Sequence, residues 1–542
     1  MAWIQPLDPC HNLPVSCLVA IVPVSVIFWA LVIRKMRGYQ ASLLATLSAL
    51  LIAVIVYRMP VHLALLSAAN GALYGLFPIC WIVFTAVFLF NIAVRSGQFE
   101  VIRGFMAGIT ADRRIQALLI AFSFGSFLEG TAGFGAPVAI TAAMLTGLGF
   151  NPLYAAGLCL IANTAPVAFG SIGIPVAVAA QVTSLPEQVI SQMVGRTLPI
   201  LSALLPFYLV VLMAGFKSAK EVAPAALVSG LSFALIQYLS SNFLGPALPD
   251  VLAGIGSIIS LLVLLRFWQP RSVWRFAGEA EHIQPAGVSP AARRLLWALS
   301  PFIALTLMII AWGVAPVKEW LTSHGALQFA FPGLHNSIED HNGPVAHIYR
   351  FNYLPAAGTA ILFAAIISLV FSGLTLKQGI EVLKATAHQL RFPILSIAVV
   401  LAFAYLMNDS GITQTIARSL ANTGAFFPFF APILGWLGVF ITGSDTSSNA
   451  LFCKLQSTTA VSIGVDPVVT VGANLSGGVI GKMISPQSIA VAAAAGGLVD
   501  RESDLFRFTV RHSLILLCLI CCIVLAQAYL FKWMIPAYIH HL

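Results

Sequence analysis

Apolar runs of about 18 or more residues, long enough to cross a bilayer as helices, recur from one end of this 542-residue chain to the other. No other feature constrains the fold as tightly. The runs are continuous rather than alternating in polarity, which excludes a membrane β-barrel. Of all residues 59% are hydrophobic and 9% charged. A soluble domain carries about a quarter charged residues and would need that polar surface to stay in water. The chain therefore reads as an all-α polytopic membrane protein.

The formal net charge of +9 is distributed in short clusters between apolar runs, as in "RKMRGYQ" and "QPRSVWRF". Basic residues placed this way report membrane topology, so no nucleic-acid partner is expected. Arg34, Lys35 and Arg37 put the first loop inside and the N-terminus outside. Arg103, Arg113, Arg114, Lys217, Lys220, Arg271, Arg275, Arg293, Arg294, Lys377, Lys384, Arg501, Arg507 and Arg511 also fall inside, and the long loop 315–353 falls outside. The first run, 13–33, ends at a basic cluster and is read as a transmembrane helix rather than a signal peptide. Further complete spans are expected at 40–57, 74–94, 197–216, 223–244, 251–268, 294–314, 354–372, 392–407 and 513–531. Two regions, about 115–180 and 426–495, are apolar but interrupted by Gly, Pro, Asn, Ser and Thr. The eight cysteines show no paired metal spacing, and Cys518, Cys521 and Cys522 sit inside an apolar run. The loop holding His335, His341 and His347 is read as extramembrane polar sequence; neither a metal nor a cofactor is expected. Glu100, Asp112, Asp409 and Arg418 are placed in interhelical loops.

An internal repeat emerges on shifting the chain by 315. Thr131 falls on Thr446, Asn151 on Asp466, Pro152 on Pro467 and Gly157 on Gly472, and "IPVAVAA" falls on "IAVAAAA". Each match alone is weak; their agreement on one gapless shift is the stronger sign. An odd number of spans separates corresponding points, so the two repeats are inverted. The fold expected is two inverted-topology repeats with broken helices or re-entrant hairpins near mid-membrane, an architecture of secondary transporters. The division expected is 1–216 for the N-terminal repeat, 217–292 for two linking spans and an inner loop, and 293–542 for the C-terminal repeat.

In "SFLEGTAGFGAP" the carboxylate of Glu129 follows fourteen apolar-rich residues. That is roughly 21 Å of helix, past the middle of a ~30 Å core. Gly130, Gly133, Gly135 and Pro137 then break the helix, which is tolerated only where protein or a water-filled cavity satisfies the backbone, and Gly130, Thr131, Gly133 and Gly135 are substrate-binding candidates. Free amides at a helix start favour a small anion. A buried glutamate suits reversible protonation, so Glu129 is the expected proton-coupling site, with a structural glutamate as the alternative. The second repeat supplies "GSDTSSNALF", where Asp445 is ringed by Ser444, Thr446, Ser447, Ser448 and Asn449. Asp445 is a second proton-coupling candidate; helix capping is the competing use of these residues. In "GGVIGKMISPQSIA", Lys482 either pairs with Asp445, meets a substrate carboxylate, or snorkels to the interface. Ser485, Gln487 and Ser488 surround the break at Pro486, and Asn163 and Thr164 are the polar members of the matching break in the first half.

At these motifs the sequence resembles the bacterial lactate permease family. "SFLEGTAGFGAPVAI", "LIANTAPVAFGSIGIPV", "GWLGVFITGSDTSSNALF" and "GKMISPQSIAVA" carry the resemblance, which runs over nearly the whole chain. It implies a non-enzymatic symporter taking up L-lactate, D-lactate and glycolate with protons across the inner membrane. A 2-hydroxy monocarboxylate needs a cation or amide dipoles for its carboxylate and Ser, Thr or Asn for its hydroxyl. Lys482 or a hairpin N-terminus would take the carboxylate, with Asn163, Ser447, Ser448 and Asn449 nearby. Two other readings stand beside it: a sodium-coupled carboxylate carrier, and an intramembrane hydrolase using Glu129 and Asp445 as an acid–base pair.

Overall fold

The computed structural model describes residues 2–34, 36–131, 133, 135–276, 291–340, 343–498 and 501–538. Most of the expected inner loop 269–290 lies outside the described residues, as does His341. The first half holds α1 (Leu13–Leu31), α2 (Gly38–Ile55), α3 (Val61–Arg95) and α4 (Gln98–Ala107). It continues through α5 (113–131), α6 (Ala136–Gly147), α7 (Pro152–Ala162), α8 (Gly170–Thr183) and α9 (Glu187–Glu221). Two linking helices follow, α10 (Ala223–Phe243) and α11 (Pro249–Phe267). Next come α12 (Ala292–Gly313), the short α13 (Ala315–Gly325) and α14 (Ala357–Phe371). The last group is α15 (Leu376–Asp409), α16 (Ile412–Leu420), α17 (Phe427–Thr442), α18 (Asp445–Ser462), α19 (Pro467–Lys482), α20 (Pro486–Gly496) and α21 (Glu502–Tyr529). Eleven helices among the described residues are long and apolar enough to cross a membrane, or twelve if the bent pair formed by α7 and α8 counts as one.

These helices pack small residues inward and large apolar ones outward. On α2, Ala41, Ala45, Ala49 and Ala53 are fully buried, while Leu43, Leu47, Leu51 and Ile55 are 49–70% exposed. Without a hydrophobic drive between helices in lipid, close backbone approach through small residues supplies the packing. Four expected spans change. The segment expected at 74–94 is the end of a helix that starts at Val61 and kinks at Phe77, before Pro78. The segments expected at 197–216 and 392–407 are the cores of helices of 35 and 34 residues, whose polar ends the hydropathy pattern did not capture. At 15 residues, α14 is shorter than the ~20 a full crossing needs.

The two irregular regions fold as hairpins followed by broken helices. Arg113 at the start of α5 stacks 5.7 Å over the ring of Phe150, just past α6, so the first hairpin leaves where it enters. Its mouth is clamped by Arg114, which is fully buried. Arg114 pairs with Asp112 at 2.7 Å and Glu221 at 3.0 Å and donates to the carbonyls of Ser218 and Ser272. Asp112, expected in a loop, is thus a buried cap whose carboxylate also accepts from the Arg114 amide. The second hairpin is α17 and α18. Thr459 near its end donates to the Ala417 carbonyl of α16 at 3.4 Å, so it too returns to its own starting level. The mouths lie at opposite ends of α9. The first meets Glu221 at the C-terminal end of that helix. Near the N-terminal end of α9, Thr197 pairs with Gln527 of α21 at 3.2 Å, and Tyr529 two residues on reaches the Ala425 carbonyl beside the second mouth.

Helix boundaries recur at the 315 shift. Glu187 and Glu502 start α9 and α21; Pro152 and Pro467 start α7 and α19. Asn151 and Asp466 both cap, accepting from the amides of Leu153 at 3.0 Å and Val468 at 2.9 Å.

The expected outer loop is a folded cap. Strand β1 (Trp3–Ile4) pairs with β3 (Ile338–Asp340), β3 with β4 (Gly343–Pro344), and β2 (Leu327–Ala330) with β5 (Ile348–Phe351). Gln5 donates to the Asp409 carbonyl at 2.7 Å, and His347 Nε2 meets Asp409 Oδ2 at 3.1 Å. Asp409 is therefore a buried partner at the end of α15 rather than a loop residue. Glu100 lies in the first turn of α4, paired with Arg103, and Arg418 in the last turn of α16. No group of three potential metal ligands occurs among the described residues.

Candidate functional site

The nineteen residues of α5 carry Glu129 roughly 24 Å up from the mouth at helical rise. There Glu129 is 2% exposed. A carboxylate at that depth needs a cation and donors. Lys482 Nζ lies 2.7 Å from Oε1 and Asn163 Nδ2 3.0 Å from Oε2. Gly170 makes the fit possible: a Cβ there would stand 2.8 Å from Oε1. The expected alternatives for Lys482, a pair with Asp445 or a snorkelling side chain, are corrected by this contact and by its 9% exposure. Asp445 has its own donor in Asn449 Nδ2 at 3.4 Å and packs onto Gly478, where any side chain would overlap Oδ1.

Asp445 opens α18, but the cap is Ser444, whose hydroxyl accepts from the Ser447 amide at 3.3 Å. Asn449 is the centre of an amide chain: it donates to the Pro175 carbonyl at 3.1 Å and accepts from Asn474 at 2.8 Å, which accepts from Gln456 at 2.7 Å. The chain ties the second hairpin to the break in α8 and fixes the rotamers around Asp445. Asp445 Oδ1 has no hydrogen-bonding partner among the described residues.

Between Glu129 and Asp445 lies a cavity of about 180 Å³. Its polar wall is Glu129, Lys482, Asp445, Ser444, Thr446, Ser171, Gln487 and Ser488; Val167, Ile174, Pro175, Pro393 and Val491 form the apolar side. The starts of four helices converge on it: Gly135 caps α6, Gly170 and Ser171 begin α8, Ser444 and Asp445 begin α18, and Gln487 and Ser488 begin α20. The break in α8 holds three consecutive residues in left-handed backbone, Ser171 at φ 48°, Ile172 at 60° and Gly173 at 75°. That conformation costs roughly 1–3 kcal/mol per non-glycine residue and concentrates at ligand sites.

Of the residues expected at the site, Glu129, Gly135, Asp445, Thr446, Lys482 and Gln487 line the cavity. Asn163, Asn449 and Ser485 stand behind it: Ser485 caps α20 from the Ser488 amide, and the two asparagines hold the carboxylates. Thr131 and Thr164 turn their hydroxyls back onto the carbonyls of Phe127 and Ile161, and Ser448 bonds the Gly435 carbonyl. Gly130 lies against Asp250 and Val251 and Gly133 against Ser171, as close backbone approaches. Ser447 contributes its backbone amide to the Ser444 cap. Gly170 and Ser171 lay inside a recognised break but showed no chemical signal of their own. Asp250, buried at the start of α11, follows a proline at a span boundary and reads from sequence as an ordinary helix-end acid.

Fold and site together define a multi-pass helical membrane protein with a small charged cavity at the tips of two helical hairpins. The family model described as L-lactate permease matches residues 16–531. The L-lactate permease of Bacillus subtilis is 54% identical, covering 99% of this chain and 100% of that one. The L-lactate permease of Salmonella typhimurium is 50% identical over 98% and 100%, and the glycolate permease GlcA of Escherichia coli 49% over 99% and 100%. The chain belongs to the L-lactate permease family. It is a transporter rather than an enzyme, and the hydrolase reading is set aside because its relatives are permeases.

Proposed function

We propose that the protein takes up L-lactate and related 2-hydroxy monocarboxylates, D-lactate and glycolate, together with one proton each. The observation that carries this reading is the Lys482–Glu129 pair at 2.7 Å on the wall of a small cavity. A substrate carboxylate can take Lys482 only if Glu129 gives it up, and Glu129 gives it up on protonation. The empty site holds Lys482 with ionised Glu129; the loaded site holds Lys482 with lactate and a neutral Glu129. Neither carries net charge at that pair, so both forms avoid the cost of an unpaired charge in the membrane interior. The helix starts of α18 and α20 add positive dipole ends for the carboxylate, Ser171, Ser444 and Thr446 offer hydroxyls, and Val167, Ile174 and Val491 accommodate a methyl group. At about 180 Å³ the cavity is below the ~300–1,000 Å³ of drug-sized ligand sites, which suits a small solute.

The same reading places the chain in a bacterial inner membrane, its N-terminus on the outer side, as two inverted repeats (1–216 and 293–542) joined by 217–292. Helix boundaries recurring at the 315 shift and hairpin mouths at opposite ends of α9 support the inverted relation. Proteoliposome uptake of labelled lactate under an imposed pH gradient tests the function. Accumulation should survive replacement of sodium by choline. Glu129→Gln should lose accumulation relative to lactate–lactate exchange, because its empty site leaves Lys482 unpaired and unable to return. Full pH-driven accumulation by that variant, or dependence on sodium, would refute the reading.

A further inference from the structure

Asp250 is a third buried carboxylate beside the pair, contributed by a linking helix rather than by either hairpin. It is 1% exposed, and neither oxygen has a hydrogen-bonding partner among the described residues. Its nearest amide is Gln237 on α10, which interacts with the carboxylate weakly while donating to the Ala165 carbonyl at 3.0 Å. The contact with the first hairpin is tight. A Cβ on Gly130 would stand 2.8 Å from Asp250 Cβ, and one on Gly254 would stand 2.7 Å from the Phe127 amide nitrogen. Gly130 thus faces Asp250 while Phe127 faces Gly254, so α11 runs antiparallel to the tip of α5. Asp250 sits next to the turn that carries Glu129, on the side away from the hairpin mouth. The charged groups acting on it are Glu129 from α5 and Lys482 from α19.

A carboxylate buried beside a second carboxylate, with so little hydrogen bonding, is a poor place for a negative charge and a suitable one for a proton. We infer that Asp250 is the proton donor to Glu129, reached from the end of the bundle opposite the first hairpin's mouth. In the step, the O–H bond on Asp250 breaks and one forms on a Glu129 oxygen. Glu129 becomes neutral and releases Lys482 to the substrate carboxylate, and Asp250 becomes the anion until a proton from the far side restores it. Asp250 touches no substrate; it acts through Glu129.

This inference rests on the proposed proton-coupled transport, and the test separates the two. Wild type, Glu129→Gln and Asp250→Asn are reconstituted, and pH-driven net uptake is measured against lactate–lactate exchange. Asp250→Asn keeps shape and neutrality but cannot pass on a proton, so the ratio of net uptake to exchange should fall tenfold or more. Asp250→Glu should restore part of it with an altered pH profile. If Glu129→Gln loses the ratio and Asp250→Asn keeps it, the inference fails and the transport reading stands. If wild type shows no pH-driven uptake, the transport reading fails and takes the inference with it. Should Asp250→Asn not be recovered as a monodisperse protein, Asp250→Glu carries the test: the pH of half-maximal uptake should move by about one unit, and an unmoved profile overturns the inference.

Discussion

Glu129→Gln should abolish the pH dependence of lactate binding. The substitution keeps the side chain's shape and removes the charge that holds Lys482 at 2.7 Å. On the proposed mechanism, lactate reaches Lys482 only when Glu129 takes a proton, so each binding event takes up one. Linkage fixes the slope: with one proton taken up per lactate bound, Kd should rise about tenfold per pH unit, or about 1.4 kcal/mol. In the variant Lys482 is free at every pH, so Kd should be flat and, on the alkaline side, lower than in wild type. Equilibrium binding of labelled L-lactate to purified protein across neutral and alkaline pH measures both curves. A variant that keeps the wild-type slope would refute the reasoning and move the coupled proton to another group, with Asp445 the first candidate.

Gly170→Ala places a methyl 2.8 Å from Glu129 Oε1 and 3.1 Å from Cγ. The glutamate must shift off Lys482, so lactate should meet less competition for the ammonium and, as in Glu129→Gln, bind more tightly than in wild type on the alkaline side, with expression and monodispersity kept. Arg114→Ala strips a fully buried Asp112 of its counter-ion, a loss of about 3–5 kcal/mol. The half-exposed Glu221 adds little to that, and thermal unfolding in detergent should fall by several degrees. Burial alone would push the His347 imidazole down, but Asp409 beside it carries it above the usual 6.5. A raised value means the pin between the folded cap and α15 is fully present below about 6.5 and lost as pH rises through the higher folded value. Protease resistance of the 315–353 segment should therefore fall with rising pH in wild type and stay flat in His347→Gln.

Much of the site was legible because membrane interiors make polar residues conspicuous. Glu129, Asp445 and Lys482 stand out in apolar sequence, and the glycines and prolines around them mark the breaks. What sequence could not supply was the pairing. Lys482 and Glu129 are 353 residues apart and meet only because the end of α19 packs against the tip of the first hairpin, whereas Asp445 was the nearer partner in sequence. Ser171 and Ile172 owe their place to backbone conformation, which no residue type there announces. The folded cap around 327–351 was hidden because short strands beside a membrane carry little periodicity. Helices such as α15 extend past their apolar cores, so hydropathy found the core and missed the ends.

The central claim is that one lactate and one proton cross together through exchange of partners at Lys482. Simultaneous recording of labelled lactate and proton movement into proteoliposomes, started by a lactate gradient without sodium, tests it most directly. The account predicts equal fluxes, insensitive to membrane potential, with proton flux lost in Glu129→Gln. Lactate entry unaccompanied by protons, or a current that tracks the potential, would contradict it.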